Sequence, residues 1–221
     1  MAAPVMPPGF RAFGLDRAAD VFARARRLAG THGAGSLFWA ADAESLALAV
    51  VLEPEVPLVA ARRAIYPGML ALFDALAPAA PPERPVRIGW PAAILVDGGL
   101  AGGGRLAWPD DAAEQSVPAW LLFGVALRLA WPEDFEPGQV RGRTALAEEG
   151  FDLVPAALVE GFARHLLFHT DAWASRGFAA VARAYARLLE PPGRLDAAGE
   201  LVQGTSALAA RLLSPDWLEA A

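Results

Sequence analysis

Cysteine and lysine are both missing from this chain of 221 residues. Without cysteine there are no disulfides, no thiolate nucleophile and no Cys-ligated zinc or iron–sulfur cluster, and such a chain suits a reducing compartment. Without lysine, all 19 basic residues are arginine, a surplus that a GC-rich coding bias produces with no selection on function. Positive charge is also outweighed: the net charge is -6 and the sequence pI about 5.1. Nucleic-acid binders gather Lys and Arg on one face, so no nucleic-acid partner is expected. Long apolar runs are absent too. The longest, Val117 to Trp131, is broken by Arg128 and falls short of the roughly 20 residues of a spanning helix. The first ten residues hold three prolines and none of the basic-then-apolar order of a secretory signal. No membrane partner is expected, and the expected location is cytoplasmic.

What is present is apolar: 55% of residues are hydrophobic and only 20% charged, enough for a substantial core. From Asp16 to Ala29 apolar residues recur at Val21, Phe22, Ala25 and Leu28, which predicts an amphipathic helix capped by Asp16 and closed by Gly30. Ser36 to Trp39 and Leu46 to Leu52 read as paired strands joined by a tight turn. Pro57 to Leu76 has helical spacing, with Pro67 expected to kink or divide it. After a Pro-rich linker, Ala77 to Pro85, strands are expected at Val86 to Trp90, Ile94 to Val96 and Leu100 to Trp108, with Asp97-Gly98-Gly99 as a hairpin turn. Another strand is expected at Trp120 to Leu129. Helices are expected beyond Thr144, one carrying Leu158, Phe162, His165, Leu166 and His169, another from Phe178 to Leu189. This order suggests an α+β fold: a mixed, mostly antiparallel sheet with helices packed on one face. Residues 1–190 form the expected main domain, and 191–221 a C-terminal appendage, read as a truncated small β domain that begins with a hairpin over Leu195 to Val202.

The stretch Val86-Arg87-Ile88-Gly89-Trp90-Pro91-Ala92-Ala93-Ile94-Leu95-Val96-Asp97-Gly98-Gly99-Leu100-Ala101-Gly102-Gly103 resembles the signature of the biotin/lipoate protein ligase family. In that signature a strand ends Lys-Trp-Pro-Asn-Asp, and an apolar strand and a turn lead to Lys-hydrophobic-Ala-Gly-Gly. Trp90, Pro91, Leu100, Ala101, Gly102 and Gly103 sit at its spacing. Leu122 to Arg128 is similar to the family's Gly-x-Gly-Ile-Asn strand, and Arg143-Thr144-Ala145-Leu146 to the segment before its last helices. The resemblance spans roughly residues 10 to 190 and implies the class II aminoacyl-tRNA synthetase/biotin ligase-like fold. It also implies a family activity, activation of biotin, lipoate or octanoate and transfer of the acyl group to a carrier-domain lysine. ATP and magnesium would be needed only if ligase activity survives; no cofactor is otherwise implied.

Matched to the signature, the chain lacks every polar member. The family's catalytic lysine falls at Gly99, the lysine before Trp-Pro at Gly89, the Asn-Asp pair at Ala92 and Ala93, and the later asparagine at Arg128. Between Phe38 and Leu48 there is no room for the Gly-Arg-Gly-Arg loop that covers an adenylate. Losing one preorganised cation costs on the order of two or three powers of ten in rate. The coding bias accounts for lysine becoming arginine but not for lysine becoming glycine.

The candidate ligand-binding residues are Trp90, Pro91, Gly102, Gly103, Arg128, Arg87 and Arg105; none is assigned as catalytic. Arg128 on a strand can grip a carboxylate or phosphate bidentately or sit in a strand-edge ion pair. Arg87 and Arg105 can join it in an anion-binding cluster or be solvated surface. Trp90 stacks on a ligand or packs in the core, and the glycines admit a ligand or mark a bulge. His165 and His169 lie one helical turn apart, near Asp171, but lack the third ligand of a metal site. Three functions are consistent with this pattern: a ligase-like protein that binds a small carboxylic acid or acyl-adenylate without normal ligase activity; a module docking a biotinyl or lipoyl carrier domain; and a divergent ligase or transferase using arginines.

Overall fold

The computed structural model describes residues 3–135, 140–202, 207–213 and 215–219. Seven strands form one sheet: β1 (Arg11–Gly14), β2 (Ser36–Ala41), β3 (Ser45–Leu52), β4 (Val86–Gly89), β5 (Ala93–Val96), β6 (Gly99–Ala107) and β7 (Leu121–Arg128), in the order β1-β2-β3-β7-β6-β5-β4. Every neighbouring pair is antiparallel except β1 and β2. The helices are α1 (Val21–His32), α2 (Leu58–Ala61), α3 (Ile65–Leu76), α4 (Pro155–Arg176), α5 (Phe178–Ala186), α6 (Leu208–Leu213) and α7 (Asp216–Glu219).

The α+β reading with a mostly antiparallel sheet therefore holds. Its central strands β3 and β7 are apolar at nearly every position because both of their faces are covered. Leu46, Leu48 and Val50 of β3 share one face with Phe123, Val125 and Leu127 of β7 and enter the main core with α3, α4 and α5. The opposite face carries small residues, Ala40, Ala47 and Ala49, and receives Val21, Ala25 and Ala29 of α1. Helices thus occupy both faces, with α1 on the second. Its close approach depends on Gly124, where a Cβ would lie 2.3 Å from the Phe22 ring.

Three local expectations are corrected. The 57–76 helix breaks at a 3-10 turn, Arg62–Ala64, and not at Pro67. Pro67 sits in the first turn of α3, where a missing N–H costs nothing. The first helix begins at Val21, after a 3-10 turn at Ala18–Asp20, and Asp16 does not cap it. β1 escaped prediction because four residues carry little pattern; its partner, β2, lies 25 positions along the chain at the Arg11 to Ser36 register pair. The Asp97-Gly98 turn is as expected, with φ of 47° and 80°, the left-handed pair that a two-residue hairpin turn requires.

Beyond α5 the described residues make one antiparallel bridge, Leu195 to Leu201, at the hairpin position expected there. Residues 203–206, 214 and 220–221 lie outside the described residues. After the bridge, the described residues form the helices α6 and α7, where a small β domain was expected. The reason is local packing: Trp217 of α7 is 4% exposed and its indole Nε1 donates to the Gly104 carbonyl of β6 at 3.0 Å, which ties the segment to the sheet.

Candidate ligand-binding cleft

Where α1 stops covering the sheet, β3, β7 and β6 leave a cleft of about 540 Å³, within the range typical of small-molecule sites. Ala47, Ala126 and Gly102 line it, Arg105 and Arg128 add charge, and Trp131, Phe135 and Trp217 bound it. Arg105 pairs with Gly124 across strands. Gly124 and Arg128 are four residues apart on β7 and so face the same way. Their backbones stand about 13 Å apart along the strand, so the two cations flank an apolar interval.

Neither arginine has a carboxylate partner among the described residues. Arg105 lies over the Phe22 ring, 3.6 Å from its centroid, and burial pulls its guanidinium pKa down to about 10. Arg128 stacks 4.2 Å over Trp131, which in turn stacks on Phe135 at 4.1 Å. Burial lowers its pKa, and the like charge of Arg143 adds to the shift. Both remain cations at neutral pH. Glu44 is the acidic residue among the described lining, but it pairs with neither guanidinium, so two cations against one carboxylate leave the cleft attractive to anions.

The other candidates divide between the cleft and its surroundings. Gly102 lines the cleft with φ 147°, and a Cβ there would lie 2.1 Å from the Ala126 carbonyl oxygen. Gly103 is covered by Trp217, whose ring lies 2.7 Å from where a Cβ would be. Trp90 and Pro91 do not line the cleft. The Trp90 indole donates to the Tyr66 hydroxyl at 3.1 Å, and the Pro91 carbonyl accepts from the Tyr185 hydroxyl at 2.5 Å. Both tyrosines are buried, and desolvation pushes their pKa values up. Arg87 is exposed on the edge strand β4 and donates to the Val86 carbonyl at 3.2 Å, so the three-arginine cluster reduces to two. His169 Nε2 is 2.7 Å and His165 Nδ1 3.8 Å from Asp74, which joins α4 to α3.

Sequence reasoning missed Trp131, Phe135, Arg143 and Trp217 as cleft neighbours. Arg128 and Trp131 are three residues apart, which is a weak signal for the stack; nothing in the sequence ties Trp217 to Gly103. The region between Phe38 and Leu48 is closed by a tight turn. Asp42 Oδ1 accepts from Glu44 N at 3.1 Å, Ser45 N at 2.8 Å and Ser45 Oγ at 2.9 Å. At the turn into β6, a Cβ on Gly99 would be 3.0 Å from Thr144 Cβ and Cγ2. Thr144 is 7% exposed, and its hydroxyl donates to Glu149 at 2.5 Å.

An antiparallel-rich sheet backed by helices, with a cleft over the strand that carries Gly102, is an α+β ligand-binding architecture. Residues 6–187 match the biotin/lipoate A/B protein ligase family, and the chain belongs to it. It is 33% identical over 155 residues to the biotin ligase of acetyl-CoA carboxylase from Paracoccus denitrificans. That match covers 65% of this chain and 62% of the relative, so it spans less than two thirds of the relative's length. A biotin protein ligase-like protein of unknown function from a Silicibacter species superposes with a TM-score of 0.81 at 26% identity, covering 93% of this chain and 95% of that one. Biotin protein ligase from Aquifex aeolicus shares the fold, with a TM-score of 0.67 at 16% identity over 87% and 90% of the two chains. No helix among the described residues is long and apolar enough to cross a membrane.

Proposed function

We propose that this protein binds a small carboxylic acid of the biotin, lipoate or octanoate kind, or its adenylate, in the Arg105–Arg128 cleft, and that it does not run the ordinary adenylation reaction. The observation that carries this reading is the pair of arginines without carboxylate partners at the edges of an apolar cleft. A guanidinium there fixes the carboxylate, and the apolar interval takes the acyl chain. The segment from 191 onward acts as a small appendage that supplies Trp217 and Leu218 to the cleft wall.

The loss of ligase chemistry rests on the family's motif carried onto this chain. At Gly99, the position of the family's catalytic lysine, there is no side chain and a Cβ would already press on Thr144 at 3.0 Å, and the Asp42 turn leaves no loop to shield an adenylate from water. ATP and magnesium are then not required. The absence of cysteine supports a cytoplasmic setting.

Calorimetry with biotin, lipoate, octanoate, ATP and the acyl-adenylates tests this. At least one acid or adenylate should bind saturably, and Arg128→Ala should weaken it about tenfold or more, the cost of one charge-assisted hydrogen bond. Silence across the panel sinks the cleft as a ligand site. Carrier acylation that requires ATP and disappears in Arg128→Ala would overturn the noncatalytic part in favour of an arginine-based ligase. Carrier-domain binding unaffected by Arg128→Ala would favour a docking module instead.

A further inference from the structure

A second groove, sharing no lining residue with the first, runs along α5 and encloses about 560 Å³. Its apolar side is Phe178, Ala182, Ala186 and Leu195. Four arginines from three separate segments reach it: Arg63 beside α3, Arg183 and Arg187 one helical turn apart on and just after α5, and Arg194 beyond. Asp196 is the only acidic lining residue among the described residues. Its Oδ1 already accepts from the backbone N–H groups of Ala198 and Glu200, both at 2.9 Å. Among the described residues none of the four arginines pairs with a carboxylate. The groove therefore concentrates positive charge in a chain whose net charge is -6.

The cations are also partly positioned. Arg63 stacks 5.1 Å from the Phe178 centroid and donates to the carbonyls of Ala60 at 3.2 Å and Ala197 at 3.0 Å. The Arg194 carbonyl accepts from Val202 N at 2.8 Å, which fixes the backbone that carries its side chain. Coding bias sets how many arginines the chain has; it does not bring four of them to one concavity.

We infer that this groove binds an organic phosphate. A single carboxylate has two oxygens and one charge, which one arginine satisfies, whereas a phosphoryl group offers three acceptor oxygens to several guanidiniums at once. Arg183, Arg187 and Arg194 hold the phosphoryl end, and the body of the ligand lies on Phe178 and the alanines. The concave form and volume suit a small ligand and not a flat protein face.

Calorimetry at low ionic strength with inorganic phosphate, pyrophosphate and ADP tests the inference. Expected is one-to-one binding of ADP, about tenfold weaker in each of Arg183→Ala and Arg187→Ala and unchanged in Arg128→Ala. Equal affinity for pyrophosphate assigns the groove to the phosphate group itself, and tighter ADP binding shows that the body contributes; both support the site. Both substituted arginines are exposed, so the variants keep the wild-type unfolding midpoint. No binding by any probe overturns it. So does binding lost in Arg128→Ala but kept in Arg187→Ala, or a glutamate-rich peptide that binds the groove as tightly as ADP. None of these results alters the carboxylate test of the first cleft.

Discussion

Arg105 sets the pH behaviour of the first cleft. Burial depresses its pKa to about 10, so the guanidinium is charged at neutral pH and loses its proton sooner than a solvated arginine would. A neutral guanidine no longer attracts an anion. Carboxylate affinity measured by calorimetry should therefore be flat from about pH 6 to 9 and fall as pH rises through about 10; a fall centred near pH 7 would assign the anchor to another group. Gly102 is the second residue with a sharp requirement. At φ 147° and 2.1 Å from the Ala126 carbonyl, a Cβ adds backbone strain to a clash. Gly102→Ala should lower the unfolding free energy in urea by about 2 kcal/mol or more. The Trp-Pro and Gly-Gly residues were legible as a motif, yet their roles divide. Gly102 lines the cleft and Gly103 lies under Trp217, while Trp90 and Pro91 bond to buried tyrosines.

At the scale of elements, α7 depends on one side chain. Trp217 is 4% exposed and bonded to Gly104. Trp217→Ala should cost about 3 kcal/mol in a urea melt, and should widen the cleft enough to shift the preferred acyl chain in a calorimetric series of fatty acids. A loss below about 0.5 kcal/mol would show that the helix docks by other means. The α3–α4 pair has its own polar tie, Asp74 to His169 at 2.7 Å. Asp74→Ala leaves a histidine that is 9% exposed without that partner and should cost about 1–3 kcal/mol by the same melt. The two histidines on one helix face had the spacing of metal ligands; the structure gives them a carboxylate on the neighbouring helix instead. Strands and hairpins were legible because alternation and the Asp97-Gly98 turn are local. β1 was not, because its stability comes from pairing with β2 and not from its own four residues.

At the scale of the molecule, two concave regions among the described residues are built in different ways. One opens between arginines on β6 and β7 and is walled by a segment from the far end of the chain. The other lies against α5 and gathers arginines from residues 63 to 194. The sequence by itself determined the family, the succession of strands and helices, the missing lysines and the apolar character of the central strands. Motif spacing and periodicity are properties of neighbouring residues. Only the tertiary structure decided that Arg105 and Arg128 share a cleft while Arg87 does not, that Trp217 covers Gly103, and that Arg63 meets Arg183, Arg187 and Arg194 at one groove. Strand register and helix docking set which faces coincide, and those depend on contacts between segments that the linear order does not bring together.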